Sequence, residues 1–97
     1  ISPLNASIIH ARGDSMSPTI NDGEALMIDH QAAEVQSGKV YLTETGGELR
    51  IKRLFKRANG WVVASDNQDK IRYPDEPLNA LDDIRIIGRI VWRGGRL

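Results

Sequence analysis

The sequence predicts a mainly β domain, a small, curved, barrel-like antiparallel sheet with short helical turns. Three observations lead there. Short runs rich in β-branched and aromatic residues recur along the chain, each closed by a turn signal containing Gly, Asn or Asp. The last run, Ile84 to Trp92, alternates between apolar and charged residues as a half-buried strand does. No stretch carries the period of a long amphipathic helix, and no internal repeat is present. Short strands with frequent turns favour a closed or strongly curved sheet over an open layered one.

In order, Ile1–Ala6 is an extended lead-in, since Pro3 opposes a helix, and Ser7-Ile8-Ile9-His10-Ala11 is a short strand. Gly13-Asp14-Ser15-Met16-Ser17-Pro18-Thr19-Ile20 comes next, a stretch in which Pro18 suits the first turn of a short helix. Asn21-Asp22-Gly23-Glu24 is a turn into a strand at Ala25–Asp29. Gln31–Val35 suits a helical turn that Ser37-Gly38 breaks, and Lys39–Glu44 is a strand. Thr45-Gly46-Gly47-Glu48 turns the chain into Leu49–Arg57, and Asn59-Gly60 is the two-residue hairpin signal before Trp61–Ser65. Residues 66–83 read as loop, with Lys70–Tyr73 as a short strand before Pro74. In the final strand, Ile84, Ile86, Ile90 and Trp92 are placed on one face and Arg85, Arg89 and Arg93 on the other, with a bulge or bend at Gly88.

Size and composition narrow the function. The chain has 97 residues, enough for one domain spanning 1–97 with one core. Apolar residues make up 40%, so a packed core is within reach. Thirteen basic residues balance thirteen acidic ones, which argues against a nucleic-acid-binding module, where a basic surplus is the rule. Without cysteine there is no disulfide framework, no thiolate nucleophile and no cysteine metal site, which fits a cytoplasmic location. The apolar runs are too short for a membrane span, and no signal peptide is visible. Because it opens on Ile1, the chain is expected to be a fragment of a longer protein.

Ser15 is the first candidate. A serine between Gly13 and a Pro-containing turn is either an exposed nucleophile, with the Asp14 and Ser15 N–H groups free for an oxyanion, or simply a cap on a helical turn. His10 and His30 are bases by residue type, but no acid singles out either, and neither forms a metal motif. Lys52 shares a strand face with Leu54. A lysine acts as general base only when burial leaves it neutral near pH 7, and Ser–Lys pairs are a variant of the triad logic. The competing reading is a solvated lysine in the basic cluster Arg50, Lys52, Arg53, Lys56, Arg57. The acidic residues from Asp66 to Asp83 read as loop solubility, the arginines at 85, 89, 93 and 96 as a solvated face, and Trp61 and Trp92 as core or dimer-interface residues. The terminal strand, left as an edge, is expected to form part of a dimer contact.

Gly13-Asp14-Ser15-Met16, Asp22-Gly23-Glu24, Ser37-Gly38-Lys39-Val40 and Ile51-Lys52-Arg53-Leu54 occur in an order and spacing that resembles LexA-type self-cleaving repressors. The chain looks most like the C-terminal domain of phage CI-like repressors, through Gly-Asp-Ser-Met-Ser-Pro-Thr at 13–19 and Ile-Gly-Arg-Ile-Val-Trp at 87–92. The resemblance runs from about Ile8 to Leu97. It implies the LexA/signal-peptidase-like fold, Ser15 as nucleophile, Lys52 as general base, the Asp14 and Ser15 amides as oxyanion hole, and no cofactor or metal. The implied reaction is attack on a peptide bond of the protein's own upstream linker, classically a small residue before glycine. Implied partners are a second copy, a RecA filament on single-stranded DNA as activator, and DNA through an N-terminal helix-turn-helix domain absent from this chain.

One departure is that no Ala-Gly or Cys-Gly dipeptide occurs in the chain, so the usual scissile bond is missing. The chain is therefore either a product of cleavage or trimming, or a piece of a repressor that never cuts itself. The alternatives are a non-cleaving dimerisation module and a polymerase-accessory relative of the same fold. A signal peptidase is disfavoured by the lack of an apolar anchor and by Leu54-Phe55-Lys56-Arg57 following Lys52-Arg53.

Overall fold

The computed structural model describes residues 5–31 and 34–94. Among these residues, seven strands form one antiparallel sheet: β1 (Ala6–His10), β2 (Ala25–Asp29), β3 (Lys39–Thr45), β4 (Glu48–Arg57), β5 (Gly60–Ala64), β6 (Glu76–Leu78) and β7 (Arg85–Gly94). Their order is β1-β2-β7-β3-β4-β5-β6. The chain is mainly β, as its patterning requires, with a 3-10 turn at Leu81–Asp83. The sheet is open rather than closed, with β1 and β6 as its edges.

Several local expectations are corrected. Lys70–Tyr73 is a turn, and the short strand of that region is β6, one turn later. Pro74 ends the turn, and Glu76–Leu78 then reaches the free edge of β5. The stretch at 15–19 is a hydrogen-bonded turn containing a cis Ser17–Pro18 bond, not a helix. Residues 32 and 33, in the middle of the turn expected at 31–35, lie outside the described residues. The hairpin loop is Ala58–Asn59, with Gly60 already paired to Arg57.

The last strand differs most from its sequence reading. It is not an edge: β7 lies between β2 and β3, hydrogen-bonded to both. Two bulges break its alternation. Leu42 and Thr43 pair with Gly88 and Ile86, leaving Ile87 extra, while Ile28 and Met27 pair with Ile90 and Trp92, leaving Val91 extra. Each bulge inserts one residue and flips the residues beyond it to the other face. Ile84 and Ile86 therefore pack with Tyr41, Leu54 and Val63, whereas Ile90 packs with Ala11, Met16, Ile20 and Leu26. Val40 and Tyr41, consecutive on β3, belong to different clusters, so the two cores cover opposite faces of the sheet. Trp92 shares the face of Met27 and remains 51% exposed.

Gly88 sits where β7 runs close to β2. A Cβ there would lie 2.5 Å from Ile28 Cγ2 and 2.7 Å from the Asp29 carbonyl oxygen. Since Ile28 is fully buried and Asp29 offers backbone, neither can move aside easily. Gly88→Ala is expected to destabilise the domain by about 1–3 kcal/mol, the range for overpacking. A thermal unfolding midpoint equal to that of the parent would show that the sheet can spread.

Candidate active site

The stretch around Ser15 is held at both ends. At its start, the Ala11 N–H donates to the Glu24 carbonyl at 2.9 Å, and the Gly13 N–H to Asp22 Oδ1 at 2.9 Å. Gly13 has φ of 80°, a left-handed conformation that a side chain would strain, and it turns the chain out of the β1 direction. At its end, the Ile20 N–H donates to the Met16 carbonyl at 2.9 Å. Met16 and Ile20, each 3% exposed, sink into the cluster with Ala11 and Leu26. Ser15 is thus carried between a buried plug and a hydrogen-bonded turn, half-buried on the wall of a cleft. It is not a helix cap: no helix follows it, and Ser17 makes the local side-chain bond, donating to Asn21 Oδ1 at 2.6 Å.

Lys52 lines the same cleft, a cavity of about 960 Å³ also walled by His10, Leu42, Ile51, Tyr73 and Glu76. It is no solvated lysine. It is 8% exposed, and Nζ donates to Ser65 Oγ at 2.8 Å. Burial pushes its pKa below the ordinary lysine value; Glu76 pulls upward, while Arg50 and Lys70 push down further. Leu54, on the same strand face, is fully buried.

The link between Ser15 and Lys52 is the segment at residues 65–67, which the sequence reads as the last residue of a strand and the start of a loop. Ser65, Asp66 and Asn67 leave β5 and bridge two elements. Ser65 accepts from Lys52. Asp66 takes Arg53 Nε at 2.8 Å and Nη2 at 2.7 Å in a bidentate pair, while Arg53 Nη1 donates to the Gly38 carbonyl at 2.7 Å. Asn67 reaches the other way: its N–H donates to the Ser15 carbonyl at 3.0 Å and its Nδ2 to the Asp14 carbonyl at 2.9 Å. Asp66 is therefore no solubility residue; Arg53 holds its carboxyl below the usual carboxylate range against the effect of burial.

Above the cleft, the Asp14 carboxylate accepts from the Tyr73 hydroxyl and lies 3.6 Å from Arg72 Nη2. The Tyr73 hydroxyl, ahead of Arg72, holds the Asp14 carboxyl below its ordinary value. The two amides expected to serve an oxyanion, those of Asp14 and Ser15, donate to no other residue among the described residues. The histidines stand apart. His10 is exposed on the cleft wall, and His30 pairs with Ser7 Oγ at 2.7 Å without lining the cleft. The edge of the sheet adds an apolar surface: Ile8, Met27 and Trp92 lie side by side across β1, β2 and β7 on one face, with Ile8 and Trp92 half-exposed.

A family model described as Peptidase S24-like matches residues 2–91. Among curated proteins, the chain is 30% identical over 95 residues to an uncharacterized HTH-type transcriptional regulator of Haemophilus influenzae, covering 96% of this chain and 39% of that protein. It is 36% identical over 83 residues to the Repressor protein CI of Enterobacteria phage phi80, covering 84% of this chain and 34% of the repressor. With the LexA repressor of Thiobacillus denitrificans it shares 33% identity over 69 residues, 70% of this chain and 34% of the repressor. The chain thus spans well under half the length of these relatives.

Proposed function

The chain belongs to the Peptidase S24-like family, and from that premise we propose that it is the C-terminal domain of a phage or prophage transcriptional repressor that cuts its own linker with a Ser15–Lys52 dyad. The observation that carries the reading is Lys52 itself: a buried amine with a depressed pKa, on the cleft that Ser15 lines. An amine whose charged form is disfavoured, on a cleft shared with a serine, is suited to take that serine's proton.

In this mechanism the neutral Lys52 amine removes the Ser15 Oγ proton as Oγ attacks the carbonyl carbon of the linker peptide. The Ser15 and Asp14 N–H groups stabilise the oxyanion. The tetrahedral intermediate collapses with cleavage of the C–N bond, and the Lys52 ammonium protonates the departing amine. Water then hydrolyses the ester on Ser15, with Lys52 again as base. Ser65 keeps the amine aimed throughout. By resemblance, a RecA filament on single-stranded DNA promotes the reaction in the cytoplasm, and an N-terminal helix-turn-helix domain carries the DNA contacts.

Dimerisation is the domain's second part in the same reading. The row Ile8, Met27 and Trp92, with the open edge of β1 beside it, suits a second copy better than water does. Cutting the linker separates paired DNA-binding heads from the module that pairs them, and two linked half-site contacts hold an operator far better than one.

The test uses the full-length parent protein, incubated at rising pH without activator and followed by mass spectrometry beside Ser15→Ala and Lys52→Ala. Cutting is expected to grow as Lys52 loses its proton and to vanish in both variants. A parent chain that stays intact at alkaline pH, and again with RecA filaments, would leave a dimerisation module with an idle dyad.

A further inference from the structure

We infer that Asn67 is a positioning residue for the oxyanion hole, an inference that rests on the proposed self-cleavage. The peptide unit between Asp14 and Ser15 sets the geometry. In a trans peptide the carbonyl and the N–H point in opposite directions within one plane, so whatever holds one aims the other. The cis bond in this stretch is at Ser17–Pro18, leaving the 14–15 peptide trans. Two donors hold the Asp14 carbonyl: the Ser17 N–H at 3.1 Å, from within the turn, and Asn67 Nδ2 at 2.9 Å, from the segment beyond β5. Together they fix the direction of the Ser15 N–H, which donates to no other residue among the described residues.

The Asn67 side chain cannot rotate freely about this task. Its Oδ1 accepts the Asp69 N–H at 2.9 Å, which leaves Nδ2 as the end that faces Asp14. Its own N–H pins the next peptide through the Ser15 carbonyl at 3.0 Å. One residue thus clamps the carbonyls on both sides of the nucleophile. The neighbouring Ser65 meets Lys52 and Asp66 meets Arg53, so this clamp is tied to the strand that carries the base. Ser65 serves the proton and Asn67 serves the oxyanion.

The division of labour is testable in the full-length parent protein by the pH profile of its self-cleavage. Asn67→Ala removes the donor without adding charge near Lys52, and the Ser17 N–H remains as a partial anchor. The plateau rate is expected to fall about tenfold to a hundredfold, less than the loss from deleting an oxyanion donor outright. The pH midpoint, which reports Lys52, is expected to stay in place. Asn67→Asp keeps the bond from the Asp69 N–H but sets a carboxylate oxygen, an acceptor, against the Asp14 carbonyl, so its plateau is expected to fall as well.

A full plateau in both variants overturns the role of Asn67 while leaving the self-peptidase standing. A shifted midpoint in Asn67→Ala also overturns it, because the residue would then act through Lys52. If Asn67→Ala melts below the assay temperature, Asn67→Asp decides by its plateau. A parent protein that does not cut at any pH overturns the self-cleavage reading, and this role with it.

Discussion

Lys52→Met is expected to stop self-cleavage while making the domain more stable at neutral pH. Loss of the base should lower the cleavage rate by a factor on the order of 10⁴ or more, as for other residues that act as one catalytic unit. The stability gain has a separate cause. Lys52 is held in a nearly dry site that disfavours its charged form, so its pKa in the folded state lies below the ordinary 10.5. Between the folded value and 10.5, the unfolded chain binds more protons than the folded one, and stability therefore rises with pH across that window. Below the window the protein carries the full cost of burying the charge. Methionine fills a similar volume without that cost, although it leaves the Ser65 hydroxyl without its donor. The variant should unfold at a higher temperature than the parent at pH 7, and the gap should narrow as pH climbs toward 10.5. A gap that is absent at pH 7, or that widens with pH, would mean that Lys52 is comfortably charged in the fold and is no general base.

The second large effect is expected at Asp66. Its bidentate pair with Arg53 is shielded from water, the two side chains being 14% and 24% exposed. Asp66→Ala leaves the Arg53 guanidinium in a half-buried site with only the Gly38 carbonyl to hold it. Removing one partner of a fully buried pair costs about 3–5 kcal/mol; for this partly exposed one about 2 kcal/mol is expected, a fall in melting temperature of roughly 10 °C in a domain of this size. Cleavage should fall further than stability explains, because Ser65 and Asn67 flank the lost anchor.

Acid gives the same pair a second signature. The Asp66 pKa is depressed by Arg53, so its contribution is complete above the ordinary carboxylate value of 3.8 and is lost as pH falls through the lower folded value. The stability difference between the parent and Asp66→Asn should be flat near neutrality and shrink in that acid range. A difference that persists unchanged well below it would assign the stabilisation to packing rather than to charge. Arg53→Met combined with Asp66→Ala completes a double-mutant cycle that isolates the pair itself.

Much of this architecture was legible because it is written locally. β2, β3 and the central part of β4 announce themselves by β-branched and apolar runs between Gly-containing turns. The Gly13–Ile20 stretch signals a special turn by its glycine and proline alone. The identity of Lys52 as more than a solvated lysine came from the resemblance of its motif, not from its strand pattern. Asp66 and Asn67, in contrast, look like any polar turn, because their partners Arg53, Asp14 and Ser15 lie far off in the chain.

Register decided the rest. A loop at Asn59-Gly60 would pair Ala58 with Trp61 and bring Asn67 opposite Lys52. The loop is one residue earlier, at Ala58–Asn59; Arg53 therefore pairs with Ala64, and the same register brings Ser65 to Lys52. The bulges of β7 act likewise, sending Ile86 and Ile90 into different cores and Trp92 to the surface. Local propensity and turn chemistry depend on neighbours a few residues apart, so the sequence by itself determined the β class and most strands, and its motifs singled out the proposed dyad. Strand order, the burial that depresses Lys52 and the Ser65–Asn67 bridge depend on pairings between distant segments, where a shift of one residue changes every partner. Only the tertiary structure could decide them.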